Sequence, residues 1–289
     1  MFVLTGATGN TGSVAAHALL DAGKPVRVVV RDGKKAKALA ARGAEVIEAD
    51  LGDEAALIRA FQGAEGVYLL SPPDLTLVDF FSQRKQLVEG YARAVKAAAV
   101  KHAVFLSSIG AQHEHGTGMI KSAYAGEQAL RATGLPVTFV RAGYFMENWI
   151  SVLAPARADG VLPSFIAASR TIPMVATHDI GKLVADLLLE GPRGTRVIEL
   201  AGPAEVSPTD VATALGQIFG RAVNVGEAPL SAAVPTFTSF GFSQTVAEGF
   251  REMYEGFANG KVAWEGGKAE AVRGKTSLSA ALRSFTERQ

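Results

Sequence analysis

Three glycines after the first apolar run carry the strongest chemical signal in the chain. Gly6-Ala7-Thr8-Gly9-Asn10-Thr11-Gly12 follows the run Phe2–Thr5 directly and opens a segment with helical spacing. In that setting a glycine-rich turn is a dinucleotide-binding element. Gly6 permits the tight turn, Gly9 lets the backbone approach a pyrophosphate, and Gly12 lets the helix pack close to the strand. The amides of Thr8, Gly9, Asn10 and Thr11 then face the phosphates at a helix N-terminus, whose dipole favours negative charge. The spacing is GxxGxxG rather than the GxGxxG of ordinary dehydrogenases. The competing reading is a turn that is merely glycine-rich.

Arg31 closes the second apolar run, roughly 20 residues beyond the glycines, where an acidic residue would hold the ribose 2′-hydroxyl of NAD. An arginine there accommodates the 2′-phosphate of NADP, and Lys34 and Lys35 add positive charge. NADP(H) is therefore the expected cofactor, although Asp32 adjoins the arginine. Asp50-Leu51 follows the third run and is placed to meet the adenine, the alternative being a helix-capping turn. Leu70-Ser71-Pro72-Pro73 ends the fourth run, and its prolines stiffen a turn against the cofactor.

These groups need a frame to position them. Apolar runs at Phe2–Thr5, Val26–Val30, Val46–Ala49, Val67–Leu70, Ala103–Ser107 and Pro136–Arg141 read as buried strands. Helical segments separate them at Thr11–Ala22, Lys34–Ala41, Glu54–Phe61, Phe80–Ala99 and Ser122–Ala132. Such alternation predicts an α/β fold, a Rossmann-type doubly wound parallel sheet covered on both faces. Beyond Ala142 the rhythm loosens. Helices are expected at Asp179–Leu189, Thr209–Phe219, Gln244–Asn259 and Leu278–Phe285, and strands at Arg196–Leu200 and Val223–Glu227. Segments 142–178 and 228–243 lack clean periodicity and read as pocket walls. The expected division is a dinucleotide-binding domain over 1–150 and a smaller, interleaved α+β lobe over 151–289.

Composition removes several chemistries. The 289 residues carry 29 Lys and Arg against 28 Asp and Glu, a formal net charge of +1, so no broad basic field draws nucleic acid. No cysteine is present, which excludes thiolate metal sites, iron–sulfur clusters and a cysteine nucleophile. Redox chemistry would have to reside in a bound cofactor. His113 and His115 are the densest histidine pair. Without further ligands nearby they predict a mobile loop rather than a metal site, with His113 as a remote proton-donor candidate. No apolar stretch approaches membrane-spanning length, and no secretory signal is recognisable, so a cytoplasmic protein is expected.

The motifs Val3–Gly12, Val30-Arg31-Asp32, Ala49-Asp50-Leu51, Leu106-Ser107-Ser108 and Arg141–Asn148 together resemble the NmrA-like branch of the atypical short-chain dehydrogenase/reductase superfamily. The resemblance spans nearly the whole chain, most strongly to about residue 150. Such proteins include NADPH-dependent quinone and dye reductases, and also redox sensors that bind the dinucleotide without turnover. The resemblance implies that Ser107 belongs to the cofactor site, that Gly143, Tyr144 and Phe145 lie near the nicotinamide, and that a C-terminal lobe closes the cleft. Tyr144, Phe145 and Trp149 read equally well as core aromatics. The expected acceptor pocket comprises Tyr144, Phe145, Trp149, Phe165, Met174, Phe237 and Phe240.

Most members of that superfamily use a Tyr-x-x-x-Lys pair to move a proton to a carbonyl substrate. Alignment on Glu127 puts Met119 and Ala123 at those two positions. Lys121 and Tyr124 lie close by in reversed order, and three positions apart on a helix they share a face. They are the candidate catalytic pair, against a solvated lysine and a packed tyrosine. Hydride transfer to a quinone-like or conjugated aromatic acceptor needs no strong protein acid, because a delocalised system takes the charge and water can protonate it. Two functions follow. One is an NADPH-dependent reductase of such acceptors; the other is an NADP-binding sensor that signals to a protein partner. The Phe80–Ala99 helix is a candidate homodimer face, or is covered by its own chain.

Overall fold

The computed structural model describes residues 1–287, whose largest element is one eight-stranded sheet. Strands β1 (Phe2–Thr5), β2 (Val26–Val30), β3 (Glu45–Glu48), β4 (Gly66–Leu69), β5 (Ala103–Ser108) and β6 (Val137–Ala142) alternate with helices α1 (Asn10–Asp21), α2 (Lys37–Ala41), α3 (Glu54–Phe61), α4 (Phe80–Ala97) and α5 (Lys121–Arg131). The spatial order is β3-β2-β1-β4-β5-β6, continued by the strands Arg196–Ala201 and Glu270–Arg273. Every pairing within it is parallel. This is the doubly wound α/β architecture, with chain order reversing between β1 and β4. Ligands of such sheets bind at that reversal, beyond the carboxyl ends of the strands.

Side-chain alternation along β1 divides the core. Phe2 and Leu4 face Leu19, Ile180 and Val184, whereas Val3 faces Leu57, Phe61, Val88 and Tyr91 on the other side. A third apolar cluster, around Trp149, Met174, Val211, Phe257 and Leu282, lies wholly outside the sheet faces. The helix Thr177–Glu190 crosses α1 at Gly181, where a Cβ would come within 2.6 Å of the Thr11 carbonyl oxygen and of Val14 Cβ. That close approach delivers the start of this helix to the sheet's carboxyl edge.

The structure departs from the periodicity in four places. The sheet has two strands beyond the six apolar runs. Arg196–Ala201, an expected strand, joins it beside β6, and Glu270–Arg273, which was not expected, forms its far edge. The latter strand, Glu-Ala-Val-Arg, is exposed along most of its length, so no apolar run marks it. The expected helix Lys34–Ala41 is split into a tight turn, Gly33–Ala36, and the short α2. Asp32 accepts from Lys34 N at 2.9 Å and caps that turn instead of a longer helix. Segment 142–178 contains the short strands Tyr144–Phe145, Val161–Ser164 and Ile172–Val175 and the helix Leu153–Asp159. A further helix, Ala233–Ser239, occupies 228–243.

Candidate active site

The glycine turn has the shape its residues predict. Gly6 has φ +62°, a left-handed conformation that favours glycine. A Cβ on Gly12 would overlap the Gly6 carbonyl oxygen, so that position is closed to side chains. Gly9 N donates to Gly6 O at 2.9 Å and Gly9 caps α1 without a side chain. No acidic residue occupies the first turn of α1. The helix thus presents uncapped amides and the positive end of its dipole to the cleft. Below, Thr11 Oγ1 and the buried Tyr68 hydroxyl share a hydrogen bond of 2.9 Å, and Thr5 Oγ1 donates to Tyr68 O at 3.0 Å. These bonds tie the turn to β4 at the reversal of strand order.

A cavity of about 450 Å³ opens over this turn, lined by Gly6, Thr8, Gly9, Asn10, Thr11, Arg31, Leu51, Leu70, Ser71, Ser107 and Phe145 among others. A second cavity of about 560 Å³ adjoins it and shares Arg31, Leu51, Pro72 and Pro73, adding Asp50 and Arg84. The two are halves of one groove, joined at these four shared residues. Ser71 Oγ is buried in this wall with no partner in the protein, a vacancy that a polar ligand atom would fill. The residues present therefore fit a bound dinucleotide.

The Arg31 region mixes basic and acidic groups. Arg31 is exposed, as are Lys34 and Lys35. Two carboxylates of the adjoining turn accept from backbone amides, Asp32 from Lys34 N and Glu48 from Gly33 N at 3.1 Å, and Asp74 lines the second cavity with Arg31. Asp50 lines the cavity, but its Oδ1 accepts from Gly52 N at 2.7 Å. Asp53, not Asp50, caps α3 by accepting from Ala56 N at 2.9 Å. Sequence periodicity missed Arg84. Its Nη1 donates to Pro72 O at 2.6 Å and its guanidinium lies 5.8 Å from the Phe80 ring centre. Burial lowers its pKa, so this half of the groove holds a partly desolvated cation.

Several expected residues lie elsewhere. Gly143 and Tyr144 do not line the groove. A Cβ on Gly143 would sit 2.7 Å from Pro173 O, so this glycine serves the close approach of two backbone segments. Tyr144 packs edge-on against Trp149 and Phe257, with ring centres 6.1 and 6.0 Å away. Trp149 and Met174, expected as pocket walls, are core residues: they are 4% and 0% exposed, and the indole Nε1 reaches Met174 Sδ at 3.5 Å. Phe165 and Phe237 belong to an aromatic cluster with Phe242, Phe250 and Tyr254. Phe240 projects into solvent at 68% exposure. Phe145 is the expected aromatic that faces the groove.

The candidate pair Lys121 and Tyr124 does share a face, but it is the wrong one. Both line a hollow of about 790 Å³ between α4 and α5, which meets the groove at Ser122. Ala123 lines the groove and not the hollow, and each helical step rotates a side chain by about 100°, so Lys121 and Tyr124 are turned from it. Lys121 Nζ bonds Glu252 Oε2 at 2.8 Å and sits 4.6 Å from the Phe81 ring centre. Ala123, at the position where the superfamily carries lysine, lines the groove, and Met119 packs on Gly249. Lys121→Met should therefore leave kcat within about two-fold and cost at most ~1 kcal/mol in denaturant unfolding. A loss of kcat of a hundred-fold would restore the catalytic assignment.

His113 is only partly exposed, and burial, then the charges of Lys261 and Arg141, lower its pKa against the opposing pull of Glu265. It does not line the groove. Among the described residues no group of three or more potential metal ligands converges.

Behind Ser107 lies a charge network whose contacts no spacing in the sequence predicted. Glu127 is 1% exposed and receives Arg141 Nε and Nη2, both at 2.8 Å, Arg131 Nη2 at 3.2 Å and Ser107 Oγ at 2.6 Å. Arg141 also donates to Glu265 Oε2 at 2.6 Å. Burial alone would lower the Arg141 pKa, but Glu127 and Glu265 hold it above its ordinary value.

The chain is 32% identical over 241 residues to quinone oxidoreductase 2 of Escherichia coli, covering 81% of each protein. It is 27% identical over 254 residues to an NAD(P)H azoreductase of Xenophilus azovorans, covering 88% of this chain and 86% of the relative. The crystal structure of the E. coli NADPH-dependent quinone oxidoreductase complexed with NADPH superposes with a TM-score of 0.83 at 26% identity, over 99% of this chain and all of that one. A triphenylmethane reductase from Citrobacter shares the fold at TM-score 0.83 and 20% identity, over 99% of both chains. The NmrA-like family model matches residues 2–273, which takes in all eight strands of the sheet and the groove at their carboxyl ends; the chain belongs to the NmrA-like family.

Proposed function

We propose that the protein is an NADPH-dependent reductase acting on a quinone-like or conjugated aromatic acceptor. One observation carries the choice of acceptor. The groove is furnished for a dinucleotide, yet Ala123 stands where a proton-relaying lysine would and no lysine or tyrosine lines it. The uncapped amides of α1 would take the pyrophosphate, and Arg31 the 2′-phosphate. Phe145 would offer a flat apolar wall at the other end. When bound, the dihydronicotinamide supplies the two electrons and one hydrogen of the reduction. The chain's own part is to orient the two reactants and exclude water from between them. A conjugated acceptor spreads the developing charge and takes its proton from solvent, so the vacant acid position costs it little. An isolated ketone lacks that outlet.

The names of the relatives, quinone oxidoreductase and azoreductase, describe acceptors of this electronic type. In this reading residues 1–150 supply most of the cofactor groove and residues 151–289 close over it. A small molecule is the partner, and no nucleic acid or membrane is required. Among the described residues no helix is long and apolar enough to cross a membrane. The test follows NADPH consumption with a panel of quinones, azo and triarylmethane dyes, and simple ketones. Turnover is expected with conjugated acceptors and not with ketones. Tight NADPH binding with no turnover of any acceptor would favour the sensor reading instead.

A further inference from the structure

We infer that Glu127 fixes the Ser107 hydroxyl as a hydrogen-bond acceptor toward the groove, and that Ser107 thereby recognises a donor group on the nicotinamide half of the dinucleotide. This rests on the dinucleotide reading of the groove. Ser107 lines the cavity that contains Phe145 and Ala123, and is absent from the adjoining cavity that contains Asp50 and Arg84. It therefore lies in the part of the groove that Phe145 and Ala123 line, away from Asp50 and Arg84.

Polarity follows from proton counting. A serine hydroxyl has one proton and two lone pairs, while a carboxylate has none to give. Both Glu127 oxygens already accept N–H bonds, Oε1 from Arg141 Nε and Oε2 from Arg141 Nη2 and Arg131 Nη2. In the 2.6 Å contact Ser107 must be the donor. Its proton is spent, and only lone pairs remain for a ligand. Two other hydroxyls of the groove wall are engaged in the same sense: Ser122 Oγ donates to Met119 O at 2.8 Å and Thr177 Oγ1 to Glu147 Oε1 at 2.7 Å.

An oxidised quinone or an azo group offers acceptor atoms only, so Ser107 has nothing to give it. The nicotinamide half of the cofactor carries donors: the carboxamide NH₂ and the ribose hydroxyls. Glu127 touches none of these and acts through Ser107, which makes it a positioning residue.

The test measures dissociation constants of NADPH by fluorescence together with the KM of a quinone. Ser107→Ala should weaken NADPH binding about three- to ten-fold, the worth of one buried hydrogen bond, with the quinone KM changed by less than about two-fold. Ser107→Thr should restore binding. The acetylpyridine analogue of NADPH, which replaces the carboxamide NH₂ by methyl, separates the two donor sources. A penalty that vanishes with the analogue assigns the carboxamide, and one that persists assigns a ribose hydroxyl. Glu127→Gln should weaken NADPH binding in the same direction, and the double variant should bind no worse than Ser107→Ala. If Glu127→Gln fails to fold, the serine variants decide alone. An unchanged NADPH dissociation constant in Ser107→Ala, or a raised quinone KM with NADPH binding intact, overturns the proposal. Failure of the unaltered protein to bind NADPH would overturn the dinucleotide reading instead.

Discussion

Arg31→Glu should weaken NADPH binding by about 100-fold or more while changing NADH binding by less than about three-fold. The argument is one of charge placement. Hydrogen bonds between an arginine and a phosphate are charge-assisted, and each is worth roughly 10- to 100-fold in affinity. Reversal of sign adds repulsion to the loss. Arg31 lines both cavities of the groove, and its guanidinium is exposed for a ligand. NADH has no phosphate at the 2′ position, so it does not sense the change. Titrating each dinucleotide against the variant measures the ratio. Equal weakening of both would move the 2′-phosphate away from Arg31 and leave Arg84, in the same half of the groove, as the basic group to examine.

Arg141→Met should cost about 3–5 kcal/mol in unfolding free energy, because it strands a buried carboxylate. Glu127 is 1% exposed and receives two of its four hydrogen bonds from this one guanidinium. Arg131 cannot replace them, since it reaches Glu127 by a single bond at 3.2 Å. The companion Glu127→Met, Arg141→Met should recover much of the loss, as a buried pair exchanged for apolar side chains of similar volume is often close to neutral. Denaturant unfolding of the two variants provides the comparison. A small cost for Arg141→Met alone would mean that Glu127 takes up a proton or finds water.

How much of this was visible in the residues themselves depended on the range of the interaction. Strands β1 to β6 were legible because each is a short apolar run between turn residues. The glycine turn was legible because its function is a local backbone shape. Arg31 was legible because the register of a βαβ unit places it. Glu270–Arg273 was invisible, since an edge strand half exposed to water needs no apolar run. Trp149, Met174 and Phe237 illustrate a different failure. Apolar side chains line pockets and fill cores for the same reason, and only the packing partners separate the two roles. Lys121 and Tyr124 failed by rotation: their spacing predicted a common face but not which way it looked. The Ser107–Glu127–Arg141 chain joins β5, α5 and β6, and no spacing rule connects a serine, a glutamate and an arginine across three elements.

The position of Arg196–Ala201 has a consequence for how the protein is made. Strand β6 is buried along its whole length and pairs on one side with β5 and on the other with this late segment. During synthesis from the N-terminus, the first 142 residues can assemble six strands, but β6 then stands as a bare apolar edge. It stays so until about fifty-five more residues have emerged, and the outermost strand needs about seventy beyond those, counting from the strand positions. An exposed, flat apolar edge is a template for pairing with another nascent chain. The interval before Arg196–Ala201 docks is therefore when this protein is most open to aggregation, and cutting the gene between the cofactor sheet and the later lobe would make that interval permanent.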